Sequence, residues 1–460
     1  MNLVYNIQDK PKFPQLLIFA LQQVLAILAA TIAVPTIIGN GMSQSAALFG
    51  AGVGTLVYQL FTRFKSPVYL GSSFAFLGSM GAAFAGAATV SAGHVGLIVG
   101  TVLAGLVYVV IALIVKFVGV KWIDRLMPPA VIGPTVAIIG LSLAGNAIGD
   151  MRAGKVMVEQ VTQVIQDGQI VDQVSAVSGC SPYVALICGL ITLFSIIVFS
   201  VYGKKMMKLI PFILGILVGY VVATVFTVIG IATNNVALQV IDFSVFTNMT
   251  IFAVPDFTFL HLGAGLKDVT PAFIATVAVA YVPVAFVVFA EHIADHKNLS
   301  TVIGQDLLTQ PGLHRTLLGD GIGSMAGAFF GGCPNTTYGE SVGCVAITRN
   351  ASVITITTAA VMCIVISFFG PFVTFLSSIP NCVMGGVCTA LYGFIAVSGL
   401  KMVQKVDLNQ SKNIFVVSVI LIAGIGNLTV SFGKVTLTSI ACALILGILT
   451  NILVSRAPEE

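Results

Sequence analysis

Apolar stretches long enough to cross a bilayer follow one another along this chain, separated by short polar breaks. Examples are Leu16 to Pro35, Leu97 to Val115, Tyr183 to Val201, Ile210 to Ile231, Val353 to Gly370, Ile414 to Ile425 and Val435 to Val454. About 20 apolar residues cross the hydrocarbon core as a helix, and by that measure the pattern predicts about twelve clear spans and two broken ones. The broken ones are SPVYLGSSFAFLGSMGAAFAGA (66 to 87) and GGCPNTTYGESVGCVAITR (331 to 349). Each opens with extended-favouring or turn-forming residues and runs on into small residues that suit half a helix.

The broken spans lie at similar depth in two halves of the chain. Glycine-interrupted segments in corresponding positions point to the binding site of a secondary transporter. With about seven spans in each half, the halves must be inverted relative to each other. The expected fold class is therefore an all-α polytopic membrane protein of about 14 transmembrane segments, built as two inverted seven-span repeats, with two short antiparallel strands in broken spans 3 and 10. Residues 1–233 form the first repeat, 234–270 an outer connection and 271–460 the second repeat. The outer connections, 149–181 and 234–270, read as polar linkers with little that forms a domain.

Composition agrees with a lipid solvent. Of 460 residues, 57% are hydrophobic and 8% charged, against roughly 25% charged in soluble domains. The net charge of +4 is spread over loops rather than clustered, so no nucleic-acid partner is expected. Alternating the loops from a cytoplasmic N-terminus puts 17 of the 21 Lys and Arg residues on one side, leaving Arg152, Lys155, Lys267 and Lys434 on the other. The positive-inside rule then predicts that both termini are cytoplasmic. The opening MNLVYNIQDKPKFPQ carries no small-residue cleavage site, so the first apolar run reads as a retained span. Eight cysteines lie scattered without a CxxC pair and read as small core residues.

Non-helical backbone at membrane depth survives only where protein or a ligand cavity satisfies it. Two extended segments that pair with each other would leave two half-helix N-termini, with free N–H groups and positive dipole, pointing at one spot. Carboxylates are placed to meet a ligand there. Glu291 and Asp295, four apart, project from one helix face. Glu340 follows Gly339 at the start of the second half-helix, and Asp320 lies near a span end. Intramembrane carboxylates are functional by default. They accept hydrogen bonds when ionised and also donate when protonated, which suits a small planar ring with N–H donors and carbonyl acceptors, moved together with a proton. EHIADH (291 to 296) is not HExxH and lacks further ligands, so neither metal nor cofactor is expected. His292 and His296 read as helix-end histidines facing the cytoplasm, with His296 kept as a candidate in proton coupling. Ser72, Ser73 and Thr337 have no histidine at a nucleophile's motif spacing, so a transporter is favoured over an enzyme.

At these residues a family becomes recognisable. PNTTYGESVGCVAITR (334 to 349) resembles the signature of the nucleobase–ascorbate transporter family, and VFAEHIADH (288 to 296), YLGSSFAF (69 to 76), LQQ (21 to 23) and WIDRLMPPAVIGPTVAIIGLSLAG (122 to 145) resemble bacterial uracil permeases. The resemblance implies a core domain and a gate domain, each built from both repeats, in the cytoplasmic (inner) membrane, and uptake of uracil by proton symport. It also implies a substrate site of Glu291, Glu340 and the backbone amides at Phe74 and Gly339, with Tyr338 and Ser73 alongside, and proton coupling through Asp295, Glu291 and His296. Phe74 or Phe76 would cover a ring face. Members of that family often dimerise through their gate domains, so a homodimer is an expectation of the same kind. Asp295 and Gln23 stand where the familiar uracil permease has histidines. These departures keep open a proton- or sodium-coupled permease for xanthine or another purine.

Overall fold

The computed structural model describes residues 3–119, 121–166, 169–204, 206–247, 249–432 and 435–455. Lys205, Lys434 and Arg456, which enter the loop-charge count, lie outside the described residues. Among the described residues, seven helices are long and apolar enough to cross a membrane, and four more apolar helices are shorter. Helix formation follows from the absence of any other partner for backbone N–H and C=O groups in lipid.

The chain divides into two units, each assembled from separated segments. One comprises Met1–Ser142, Phe252–Phe369 and Tyr392–Glu460; the other Leu143–Ile251 and Gly370–Leu391. In the smaller unit, helices Pro182–Tyr202 and Pro211–Ala232 pack against each other. Their contact is made through small residues. A methyl group on Gly215 would meet the Ile196 side chain, and one on Gly219 would meet Thr192. Most of each of these apolar helices is left uncovered by the rest of the protein. The connection at 149–181 is more than a linker. Met157–Gln166 and Gln169–Ser178 pair antiparallel along their full length. The sequence Asp167–Gly168 between them is a two-residue hairpin signal.

The larger unit holds the broken segments. The elements around them are α1 (Phe13–Ile38), α2 (Gln44–Phe61), β1 (Leu70–Ser72), α3 (Leu77–Ala85), α4 (Val90–Val118), α5 (Pro271–Ile303), α6 (Leu313–Gly331), β2 (Asn335–Thr337), α7 (Gly339–Thr348) and α8 (Val353–Ile366). Side chains cap three of the long helices. Ser43, Thr89 and Thr270 accept from the backbone N–H of Ala46, Ala92 and Phe273, each at 3.2 Å. Pro271 takes the first position of α5, where its missing N–H costs nothing. Gly304 ends that helix with φ +70°.

Helix α6 lies against α2 and α4, and glycines set the first of these contacts. A Cβ on Gly54 would stand 2.7 Å from the Gly323 carbonyl oxygen, and one on Gly327 would overlap the Asn335 side chain. The close approach lets Asn335 Nδ2 donate to the Gly50 carbonyl at 3.1 Å, tying β2 to α2. Gly327→Ala should therefore lower the melting temperature of the detergent-solubilised protein by the equivalent of about 1–3 kcal/mol of overpacking. Gly81→Ala, with nothing within 4 Å of the added carbon, should leave it unchanged.

Candidate functional site

The two unwound segments meet inside the larger unit. Strands β1 and β2 run antiparallel, with Leu70 opposite Thr337, Gly71 opposite Thr336 and Ser72 opposite Asn335. The ladder continues at both ends through Ser73 N–H to the Pro334 carbonyl at 2.8 Å and Tyr338 N–H to the Tyr69 carbonyl at 3.2 Å. Side chains of neighbouring helices satisfy the outer edges. The Leu70 N–H donates to Thr55 Oγ1 at 3.0 Å, and the Asn335 N–H donates to Ser324 Oγ at 2.9 Å. Backbone that would otherwise be unpaired at this depth is thus accounted for. Tyr338 lies over the ladder. Its hydroxyl donates to the Ser72 carbonyl at 2.8 Å, and a methyl on Gly71 would overlap its ring.

A half-helix leaves each strand. A single 3-10 turn, Phe74–Phe76, leads from β1 into α3, and α7 leads from β2 with extended Tyr338 at its N-cap. Neither Ser73 nor Tyr338 makes a side-chain cap bond, so the first N–H groups of both turns are free of such a cap and suited to an acceptor on a ligand. Glu340 sits in the first turn of α7. Helix α5 packs against both β2 and α7 and brings Glu291 and Asp295 to the same place. Asp295 Oδ2 accepts from Thr337 Oγ1 at 2.6 Å, and a methyl on Gly339 would lie 3.9 Å from Asp295 Oδ1. Glu291, Asp295 and Glu340 are half-buried, Gly339 is exposed, and the three carboxylates act on one another electrostatically.

The site residues named from sequence are thus distributed as follows. Glu291, Asp295, Tyr338, Gly339 and Glu340 converge around the start of α7. Phe74 and Ser73, both buried, belong to the opposing turn, where Phe74 meets Tyr392 edge-on with ring centres 5.6 Å apart. Phe76 is committed elsewhere, stacked on Tyr281 at 5.4 Å. Further buried side chains on converging elements carry oxygens without a partner, among them Gln23 Oε1 on α1 and Ser341 Oγ on α7. Sequence reading passed over Ser341, whose only signal was its place after Glu340.

His292 and His296 do not face the cytoplasm, contrary to expectation. Both are fully buried, because α5 continues past them to Ile303 and other helices supply partners. His296 Nδ1 donates to the His292 carbonyl at 2.8 Å, so its Nε2 accepts from Tyr58 Oη at 2.8 Å, and Tyr58 Oη in turn lies 2.7 Å from Ser66 Oγ. His292 Nδ1 lies 2.7 Å from Asp320 Oδ2, and its Nε2 lies 3.0 Å from Thr316 Oγ1. The two imidazoles stack with centres 4.0 Å apart. Asp320, expected near a span end, is buried within α6.

A membrane-embedded helical protein whose unwound strands pair beside a cluster of carboxylates is built as a transporter. Residues 14–432 match the model of a permease family, the nucleobase–ascorbate transporters, and the chain belongs to that family. Its similarity to curated relatives runs nearly end to end. It is 38% identical over 459 residues to a uracil permease of Bacillus caldolyticus (99% of this chain, 96% of that protein). It is 35% identical over 459 residues to the uracil permease of Bacillus subtilis (99% and 96%), and 33% identical over 445 residues to that of Escherichia coli K12 (96% and 92%). These relatives are permeases, not enzymes. Among solved structures, the fold is similar to the transmembrane domain of the cyanobacterial bicarbonate transporter BicA, with a TM-score of 0.58 at 16% identity over 97% of this chain and 100% of that one. It is also similar to the murine anion transporter Slc26a9, with a TM-score of 0.59 at 12% identity over 97% of this chain and 69% of that one.

The Tyr338 hydroxyl is the polar tie between the ring over the ladder and β1. Tyr338→Phe leaves the buried Ser72 carbonyl short of a donor and should cost about 1–3 kcal/mol, read as a lower melting temperature in detergent. An unchanged melting temperature would mean that the backbone ladder alone holds the crossing.

Proposed function

We propose that this protein imports uracil across the cytoplasmic membrane by proton symport, with the ring held between the carboxylates of Glu291 and Glu340. What supports the reading is the approach of Glu340 and the carboxylates of α5 to the N-termini of two half-helices that carry no side-chain cap. Ring N–H groups of a pyrimidine donate to the carboxylates, and its carbonyl oxygens accept from the amides at Phe74 and Gly339. Tyr338 and Ser73 line the same place. The names of the curated relatives support the substrate class. The reading also takes in a layout of about fourteen spans in two inverted repeats, with boundaries at 233 and 271, a core and a gate domain, cytoplasmic termini and a homodimer.

A neutral ring gains nothing from the membrane potential, so its accumulation needs a co-transported ion. Asp295 suits that role. It is one turn from Glu291, accepts from Thr337 and lies beside Gly339, so its charge acts on the groups that hold the ligand. When two neighbouring carboxylates share a site, they resist ionising together. Sodium is the competing ion.

Glu291→Ala and Glu340→Ala should each weaken uracil binding in detergent by about ten- to a hundredfold, on the order of 1.5–3 kcal/mol per charge-assisted bond. Wild-type affinity in either variant removes that residue from the site. Competition of labelled uracil uptake by unlabelled uracil, xanthine and ascorbate distinguishes the pyrimidine reading from a purine permease. Asp295→Asn should bind and exchange uracil across the membrane yet fail to concentrate it under an imposed pH gradient. Accumulation at the wild-type level would move the coupling role to another residue.

A further inference from the structure

Helices α4 and α6 come close to backbone contact at a pair of glycines. A methyl group on Gly105 would stand 2.9 Å from the Gly321 carbonyl oxygen, and one on Gly321 would stand 3.1 Å from the Gly105 carbonyl oxygen and 2.8 Å from Tyr108 Cβ. This contact sets the register of the two helices. Tyr108, three residues after Gly105, and Asp320, the residue before Gly321, consequently open onto the same space. That space is a cavity just large enough for one water, with Phe76, Ala104 and Ser324 also in its walls.

Both polar side chains end without a partner. Asp320 is 1% exposed and Tyr108 4%, and Asp320 Oδ1 and Tyr108 Oη make no hydrogen bond within the protein. The other carboxyl oxygen of Asp320 is taken, 2.7 Å from His292 Nδ1. A buried polar group left unpaired is costly, whatever its protonation state. Here two such groups line one cavity of a water's size, which is the setting in which buried waters are held. Ser324 lines it too, with its Oγ accepting from the Asn335 N–H at 2.9 Å.

We propose that this cavity is a water-binding site and that its water bridges Asp320 Oδ1 and Tyr108 Oη. A water both donates and accepts. It accepts from the Tyr108 hydroxyl while donating to an ionised Asp320, and beside a protonated Asp320 it accepts from the acid and donates to the hydroxyl oxygen. The bridge closes in either case, and it closes whichever nitrogen of His292 carries hydrogen. Through the water, α4 joins a chain that runs from Asp320 on α6 to His292 on α5, the residue after Glu291. Tyr108 is thereby a positioning residue for the turn of α5 that bears Glu291. The positioning role rests on the uracil reading; the water site does not.

The first test is an experimental structure of the full wild-type chain in a sodium-free buffer, at a resolution that shows ordered waters. An isolated peak about 2.7–3.2 Å from both Asp320 Oδ1 and Tyr108 Oη is expected. An empty cavity, or the two oxygens in direct contact, overturns the proposal. The second test is the melting temperature in detergent of Tyr108→Phe, which deletes a single oxygen. Loss of a bridge should lower it by at least about 2 °C. A hydroxyl without a partner is a cost, so an unchanged or raised melting temperature overturns the bridge. Ala104→Val fills the cavity with apolar carbon. In that background Tyr108→Phe should cost less than about half as much, because the water is already displaced. Equal losses in both backgrounds place the partner of the hydroxyl elsewhere and overturn the site. The positioning role is read separately, as the uracil affinity of folded Tyr108→Phe well below its melting transition, where lost stability alone changes nothing. A loss of at least about threefold is expected, and wild-type affinity overturns that role. A wild-type chain that binds no uracil defeats the substrate reading and the positioning role with it, while the first two tests still decide the water site.

Discussion

Every backbone N–H and C=O group inside a membrane has to find a partner, and the larger unit is organised around a place where helices do not provide it. Leu70–Ser72 and Asn335–Thr337 supply each other's partners across 265 positions of sequence, Leu70 facing Thr337 at one end and Ser72 facing Asn335 at the other. Thr55 and Ser324 close the outer edges. Because the strands stop after three residues, the helical turns that follow begin inside the protein, and their uncapped N–H groups become a resource for binding instead of a debt to solvent. The carboxylates are placed by the same constraint. Glu340 is fixed by the first turn of α7, and Asp295 is held to β2 through Thr337.

Close packing of helix backbones makes the crossing possible. Gly50 and Gly54 on α2 face Gly323, Gly327 and Gly331 on α6 or their immediate neighbours, and the missing side chains leave room for Asn335 to reach the Gly50 carbonyl. In lipid, where no hydrophobic effect drives helices together, van der Waals contact of this kind carries much of the association. Polar residues on another face of α5 add a second tie. His292 to Asp320 and His296 to Tyr58 connect α5 to α6 and α2, so the helix bearing Glu291 and Asp295 is also pinned through a second face.

Much of this protein's nature was readable from composition and local pattern. With 57% hydrophobic and 8% charged residues, no soluble fold has enough polar surface, and the words NTTYGES and AEH identify a permease. Such properties depend on transfer energies and on short-range chemistry, which are carried by neighbouring residues. Where Gly, Pro and Asn interrupt apolar runs, helix must also stop, for reasons of φ and of missing donors. Glu291, Asp295 and Glu340 stood out because a carboxylate in an apolar context is rare whatever lies across from it.

Only the tertiary structure decided which polar groups face one another. His292 looked like a helix-end histidine because its sequence neighbours are polar, yet its partners are Asp320 and Thr316, 28 and 24 residues away on α6. Helical period places Glu291 and Asp295 on one face and His292 on another, but it says nothing of what is packed there. The paired strands Met157–Gln166 and Gln169–Ser178 were passed over because alternation of valine with polar residues is a weak signal beside long apolar runs. Sequence by itself determined the solvent, the family and the list of costly buried groups, since each is a property of single residues or short words. Three-dimensional packing decided how each cost is met, since a hydrogen bond is a property of two groups that the chain brings together from a distance.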